Sequence, residues 1–390
     1  MLGESGTLMA RAPSRSCVYL LELGGEDDAF AAQEARSAAV DVEPLAPGLA
    51  MASTIVPERI RGLAYTHRAS ELVGHTDADP ASARALLEAA PLDREGSVAV
   101  RATDVKGTTG VDTAAAERAL GQVLVDRGFD VDLETPDHEL RVAFSTGATA
   151  ADAAGARENG PDAADELAAQ EDDADATTES ASVCALGWLA AESVRDFGER
   201  RPTDKPFFQP GSMDPLLARA ISNLAGARPG TTILDPMCGT GGVLVEAGLL
   251  GADVIGTDAQ SKMVRGAREN LTHFLDRGAP SPVGVERGDW FVARGDGTQL
   301  PLPDDAVDAV VFDAPYGRQS KIETHRLSDL VSGALSESRR VAGRAVLVAD
   351  RSWAAEARAA DWTIEASFER RVHRSLTRYV LVLGPADAPS

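Results

Sequence analysis

The chain has 390 residues, 44% of them hydrophobic, and a formal net charge of −23. That length predicts two or three domains with real cores, and no apolar run reaches the ~18 residues needed to span a bilayer. Cys17, Cys184 and Cys238 stand far apart, which excludes a disulfide framework and Cys-based metal spacing and points to a reducing cytoplasm.

Only Lys106, Lys205, Lys262 and Lys321 are lysines; the other 34 of the 38 basic residues are arginines. Scarce Lys with abundant Asp and Glu reads as a salt-adapted, halophilic cytoplasmic protein. At molar salt the Debye length is about 3 Å, so the global charge does not exclude an RNA partner.

In chain order, residues 1–16 are small, polar and patternless, and read as a disordered tail. Residues 18–23 predict a strand, 30–39 a short helix and 49–57 an extended piece. Residues 98–103 alternate as a strand does, and 113–127 place Ala116, Leu120, Val123 and Leu124 on one helical face. Gly128 stops that helix, and strands follow at 131–133 and 140–144. Residues 17–147 thus read as a small α+β region. Residues 149–182 hold ten Asp/Glu and one Arg and predict a disordered surface insertion, with a solvated helix at 162–170 as the alternative.

From Arg201 the character changes. An amphipathic helix is expected at 215–224. Then strands at 232–234, 253–256, 307–312 and 344–348 alternate with helices at 242–250, 261–275 and 327–341. Near-continuous apolar strands mean a sheet covered on both faces, so the fold class is α/β, a doubly wound Rossmann-like domain. Residues 362–369 and 379–383 predict a closing pair of strands.

The strongest local signal is Asp235-Pro236-Met237-Cys238-Gly239-Thr240-Gly241-Gly242. A buried strand ends in an acid, and a Gly-rich turn then opens a helix whose first amides are free for a ligand. Asp258, 23 residues after Asp235, is spaced to bind ribose hydroxyls. An NAD site would share these features. A later strand ends in Asp313-Ala314-Pro315-Tyr316-Gly317, which has no role in an NAD enzyme. It resembles the Asp/Asn-Pro-Pro-Tyr/Phe motif of amino-methyltransferases, with Ala314 in place of the first Pro. A base amine is a poor nucleophile because its lone pair is delocalised. A carboxylate at Asp313 and a nearby carbonyl can accept its hydrogens, while Tyr316 stacks on the base, a contact worth about 1–3 kcal/mol. Asp296, in Gly295-Asp296-Gly297, is preferred over the similar Asp289 as the acid facing the adenine.

Several segments together resemble the archaeal tRNA guanosine-10 N2-methyltransferases: 201–215, Asp235–Gly242, 313–317 and Val372-His373-Arg374-Ser375-Leu376-Thr377-Arg378. Upstream, Val98-Ala99-Val100-Arg101-Ala102, Leu120-Gly121 and Val131-Asp132-Leu133 resemble a THUMP domain. The resemblance implies a ferredoxin-like region at 17–70, a THUMP-like RNA-binding domain at 71–194, with 183–204 linking it onward, and a class I methyltransferase domain at 195–384. It implies S-adenosyl-L-methionine held by Asp235, Gly239, Thr240, Gly241, Asp258 and Asp296, with Asp313, Pro315 and Tyr316 catalytic. Arg374 and Arg378, with Arg101 and Lys106, are the candidate RNA contacts. The implied partner is tRNA, not DNA or a membrane, and a small activator protein is compatible with it. No metal is expected, since no His/Cys cluster has ligand spacing. The implied reaction is N2-methylation of a tRNA guanosine to the mono- and dimethyl forms. The rivals are another RNA position, a non-catalytic RNA-binding subunit, and a small-molecule methyltransferase.

Overall fold

The computed structural model describes residues 18–147, 181–276, 278, 280–315, 324–373 and 376–385. The expected tail at 1–16 lies outside them, as does all but the end of the expected insertion at 149–182.

The chain opens with β1 (Tyr19–Leu23) and α1 (Asp28–Ala35). Asp27 caps α1 by accepting the Phe30 amide, which sets the helix start ahead of the expected 30–39. β2 (Ala39–Val40), β3 (Glu43–Ala46), β4 (Leu49–Ala52), β5 (Thr54–Ile55), the short α2 (Pro57–Ile60) and β6 (Thr66–Thr76) follow. Then come α3 (Pro80–Ala89), β7 (Ser97–Asp104), α4 (Thr113–Asp126), β8 (Asp130–Val131), β9 (His138–Gly147) and β10 (Ala181–Glu192).

Eight of these strands form one sheet in the order β3-β4-β1-β6-β10-β9-β7-β8. The expected domain boundary at 70/71 falls inside β6, which pairs with β1 on one side and β10 on the other. β10 also pairs with β9, so the expected linker at 183–204 begins with a central strand. The reason is burial on both faces. Cys184 and Leu186 pack under α3 and α4 with Leu87 and Leu120, while Ala185 packs on the opposite face with Leu20 and Leu49.

The second half starts with α5 (Pro215–Leu224), capped by Asp214 with Pro215 at the first helical position. β11 (Thr232–Asp235), α6 (Gly242–Leu249), β12 (Asp253–Asp258), α7 (Ser261–Leu275), β13 (Trp290–Arg294) and β14 (Ala309–Asp313) follow. α8 (Thr324–Val341), β15 (Ala345–Ala349), α9 (Ala354–Ala359), β16 (Trp362–His373) and β17 (Leu376–Pro385) complete the fold. The sheet order is β13-β12-β11-β14-β15-β17-β16. The first five strands are parallel, and β17 runs antiparallel to both neighbours. This is the expected doubly wound class. The strand order reverses between β11 and β14, and ligands bind at the carboxyl ends of strands beside such a switch point. Among the described residues no helix is long and apolar enough to cross a membrane.

The two halves share one core. Phe30 and Leu63 belong to the same apolar cluster as Ile221, Leu224 and Val243. Buried Glu34 on α1 is the polar centre of the seam. Its carboxylate accepts the amides of Ala64 and Tyr65 and the Asn223 side-chain amide, each at 2.7 Å. Burial pushes the Glu34 carboxyl up, and those three donors oppose the shift. Nearby, the Arg370 guanidinium lies 4.3 Å from the Phe30 ring centre and 4.7 Å from that of Tyr65, and donates to the Tyr65 hydroxyl at 2.9 Å. Glu34→Leu would leave the buried Ala64 and Tyr65 amides without an acceptor and remove one of the two acceptors of the Asn223 side-chain amide. We expect it to cost about 3–5 kcal/mol in chemical denaturation; a loss below about 1 kcal/mol would show the seam to be held by apolar packing alone.

Candidate active site

β11 ends in Asp235, and the chain then turns through Met237-Cys238-Gly239-Thr240-Gly241 into α6. Gly239 and Gly241 have φ of +50° and +76°, left-handed values that L side chains rarely adopt. A Cβ on Gly241 would also meet Ala267 of α7 at 3.3 Å. The turn is fastened from below by Asp258, at the end of β12. One of its oxygens accepts the Gly239 amide at 3.1 Å and the other the Gln260 amide at 2.8 Å. Asn270, fully buried on α7, donates to the Thr240 carbonyl at 2.9 Å.

Asp235 is buried, and its carboxylate accepts the Met237 amide at 3.0 Å. Burial pushes its carboxyl well up; the Met237 amide opposes this, and the neighbouring charges of Asp258 and Asp313 add to it. Burial likewise raises Asp258, against its two backbone donors. Asp235, Gly239, Thr240 and Asp313 line one cavity of about 180 Å³, walled on its far side by Gln209–Met213. Sequence reasoning and structure therefore bring the glycine turn and the end of β14 together. Gly241 and Asp258 stand behind that wall and shape it.

Asp296 sits on the turn after β13, at the carboxyl edge of the sheet. It is exposed, and its carboxylate accepts the Thr298 amide at 2.9 Å and hydroxyl at 2.8 Å. Gly297 abuts Pro236 and Met237, so this turn borders the glycine turn. Asp289 precedes β13 at the opposite edge, its amide donating to Asp253 Oδ1 at 2.9 Å. Half-buried Pro315 follows Ala314, whose amide donates to the Val348 carbonyl at 2.8 Å. A proline at 314 could not make that bond, which accounts for the departure from the Pro-Pro pattern. Tyr316 lies outside the described residues.

Of the candidate RNA contacts, the structure corrects Arg378. Arg378 is 5% exposed, with its guanidinium 3.9 Å from Asp313 Oδ2. Buried beside the cavity, it is out of reach of a phosphate backbone. Arg101 donates to the Leu133 carbonyl at 2.6 Å, and Lys106 pairs with Asp28 at 2.7 Å. Both side chains remain partly exposed. Arg374 lies outside the described residues. Sequence reasoning missed Asn270 and Ser212, whose hydroxyl lies 3.2 Å from that of Thr240; a single polar residue in a helix or loop carries no periodic signal.

A family model described as RMKL-like, methyltransferase domain, matches residues 202–380. The tRNA (guanine(10)-N2)-dimethyltransferase of Methanothermobacter thermautotrophicus is 34% identical over 82% of this chain and 83% of that protein. The Pyrococcus abyssi protein of the same name is 34% identical over 48% of this chain and 55% of that one. The U6 snRNA (guanine-N(2))-methyltransferase THUMPD2 of Mus musculus is 30% identical over 30% of this chain and 21% of its own length. The chain belongs to the tRNA (guanine(10)-N2)-dimethyltransferase family.

Proposed function

We propose that this protein methylates the exocyclic N2 amine of guanosine 10 in tRNA, first to the monomethyl and then to the dimethyl form. The observation that carries the reading is the shared cavity, with the Asp313 carboxylate on one side and the glycine turn on the other. S-adenosylmethionine supplies the methyl group. The residues present fit that molecule. The two left-handed glycines keep side chains out of the turn, and each Asp258 oxygen, bonded to one amide, keeps a lone pair for a ribose hydroxyl. Asp235, Gly239, Thr240, Gly241, Asp258 and Asp296 are the residues we read as holding it.

In the catalytic step Asp313 does three things. Its carboxylate accepts a hydrogen bond from the guanine amine, which turns the nitrogen lone pair away from the ring. It orients that lone pair toward the methyl group, so that proximity supplies much of the rate. It then takes the proton released as the nitrogen–carbon bond forms. Arg378 acts through it as a positioning residue, holding the carboxylate by charge. By the motif resemblance, Pro315 and Tyr316 are the other residues we assign to base binding. A second transfer needs the monomethyl amine to return with its remaining hydrogen toward Asp313. We read the eight-stranded sheet of the first half as the THUMP-like platform for tRNA, because a small substrate needs no such surface. The composition fits a salt-rich cytoplasm.

The direct test is incubation at high salt with labelled cofactor and unmodified tRNA transcript, followed by nucleoside analysis. Label is expected in N2-methyl- and N2,N2-dimethylguanosine and should vanish when guanosine 10 is replaced; label in another nucleoside contradicts the proposal. Asp313→Ala should lower kcat by about 10²–10⁴-fold and leave cofactor affinity unchanged; normal turnover would sink its catalytic role. Arg378→Met should lower kcat about 10-fold or more and displace the pH profile of kcat, whereas a purely structural role would lower activity with the profile unmoved.

A further inference from the structure

A second cavity, of about 360 Å³, lies at the opposite, amino edge of the parallel sheet, in the seam between the two halves. Four arginines line it. Arg36, just after α1, and Arg59, on α2, come from the first half. Arg228, ahead of β11, and Arg344, directly before β15, come from the second. In a chain of net charge −23, such a gathering of guanidinium groups runs against the composition. Among the described residues of the wall the one acid is Asp308, and its Oδ2 accepts the Thr232 amide at 2.8 Å.

These guanidinium groups are poorly served by the fold. Arg344 meets a carboxylate, Glu365 at 3.0 Å, and its Nε donates to the Leu224 carbonyl at 2.9 Å. Arg36 donates only to neutral oxygens, Gln33 Oε1 at 2.9 Å and the Val42 carbonyl at 3.0 Å. Arg228 donates to the Gly226 carbonyl at 3.0 Å. Half-buried Arg59 makes no hydrogen bond and no ion pair among the described residues. Burial, and then the like charge of Arg228, push its guanidinium below the usual arginine range. Buried Glu34 is bonded to cavity-lining Asn223, but three donors already occupy its oxygens, and its charge does not bear on Arg59. Each guanidinium carries five N–H donors, so the four have more donors than the wall has acceptors. Ser37, also on the wall, adds a buried hydroxyl with no partner among the described residues.

We infer that this cavity is a binding site for a phosphate group, separate from the cofactor pocket and independent of the reading built on it. A halide offers one point of charge, and a carboxylate offers two oxygens in one plane. A phosphate group presents oxygens on several sides at once, which suits guanidinium forks that converge from both halves of the chain. Bound there, it supplies the acceptor that Arg59 lacks, offsets the like charges of Arg59 and Arg228, and ties the first half to the second.

The test uses the full-length protein, Arg59→Met and Arg228→Gln, at fixed pH and fixed potassium chloride. Sodium phosphate is added stepwise and the melting temperature followed, since a ligand that binds only the folded state raises it by mass action. The unaltered protein should gain stability with saturation. Each variant should need about 10- to 100-fold more phosphate for the same gain, as expected for losing one charge-assisted hydrogen bond. Equal gains in all three proteins would be general salt exclusion and would overturn the site, as would no gain in the unaltered protein. Without phosphate, Arg59→Met should melt no lower than the unaltered protein. If it does melt lower, Arg228→Gln, altered at an exposed side chain, carries the comparison. Binding of unmodified tRNA transcript to the same proteins identifies what bears the phosphate. Affinity about 10-fold weaker in both variants, with inorganic phosphate competing, assigns the site to the RNA backbone. Unchanged tRNA affinity beside a lost phosphate response assigns it to free phosphate or a phosphorylated small molecule.

Discussion

Three neighbouring parallel strands, β12, β11 and β14, end in Asp258, Asp235 and Asp313, so three carboxylates crowd one edge of one sheet. Burial penalises the Asp235 carboxylate first, and the like charges of Asp258 and Asp313 add to it, so Asp235 is pushed well up. Each acid has a separate remedy. Asp258 takes two backbone amides, Asp235 takes one, and Asp313 has a buried guanidinium beside it. The first two remedies fold the glycine turn over the strand ends. The third brings in β17, the antiparallel strand that closes the sheet. A concentration of negative charge that would destabilise an ordinary core thus organises this edge, and the proposed reaction, with a cationic methyl donor and a proton to be removed, calls for it.

The same logic explains how the two halves are joined. The seam is apolar around Phe30 and Ile221, but its register is set by directional bonds: Glu34 to three donors across two segments, and Arg370 between two rings. Arg370 lies on β16 and Arg378 on β17, the strand pair on which sequence reasoning expected RNA contacts. An arginine-rich hairpin in an acidic protein reads as an external surface, yet two of its charges face inward, one to the seam and one to the Asp313 carboxylate. Charge pattern alone carries no information about which face of a strand is covered.

The α/β half was legible because its signals are local. Asp235, the glycines and Asp258 are read from strand end, turn and spacing, and the apolar strands announce a covered sheet. The first half was less legible for physical reasons. β6 mixes His67, Arg68 and Glu71 into a central strand, and their partners lie far along the chain: Arg68 pairs with Glu192 at 2.7 Å and Arg94 reaches Glu71. β10 begins directly after the acidic stretch and was hidden by it. α3 did carry a local signal, Asp79 before Pro80, with the Asp79 carboxylate accepting the Ala81 and Ser82 amides, the same cap that marks α5 at Asp214-Pro215.

The central claim is that one site at this carboxyl edge both cradles the cofactor and grips a guanine amine. It is tested most directly by a crystal structure of the protein with S-adenosylhomocysteine and a tRNA fragment carrying guanosine 10. That structure should place the guanine N2 within hydrogen-bonding reach of the Asp313 carboxylate, about 2.6–3.2 Å, with the adenosine over the glycine turn. A guanine whose N2 points away from Asp313, or a cofactor seated at the opposite edge of the sheet, would contradict it.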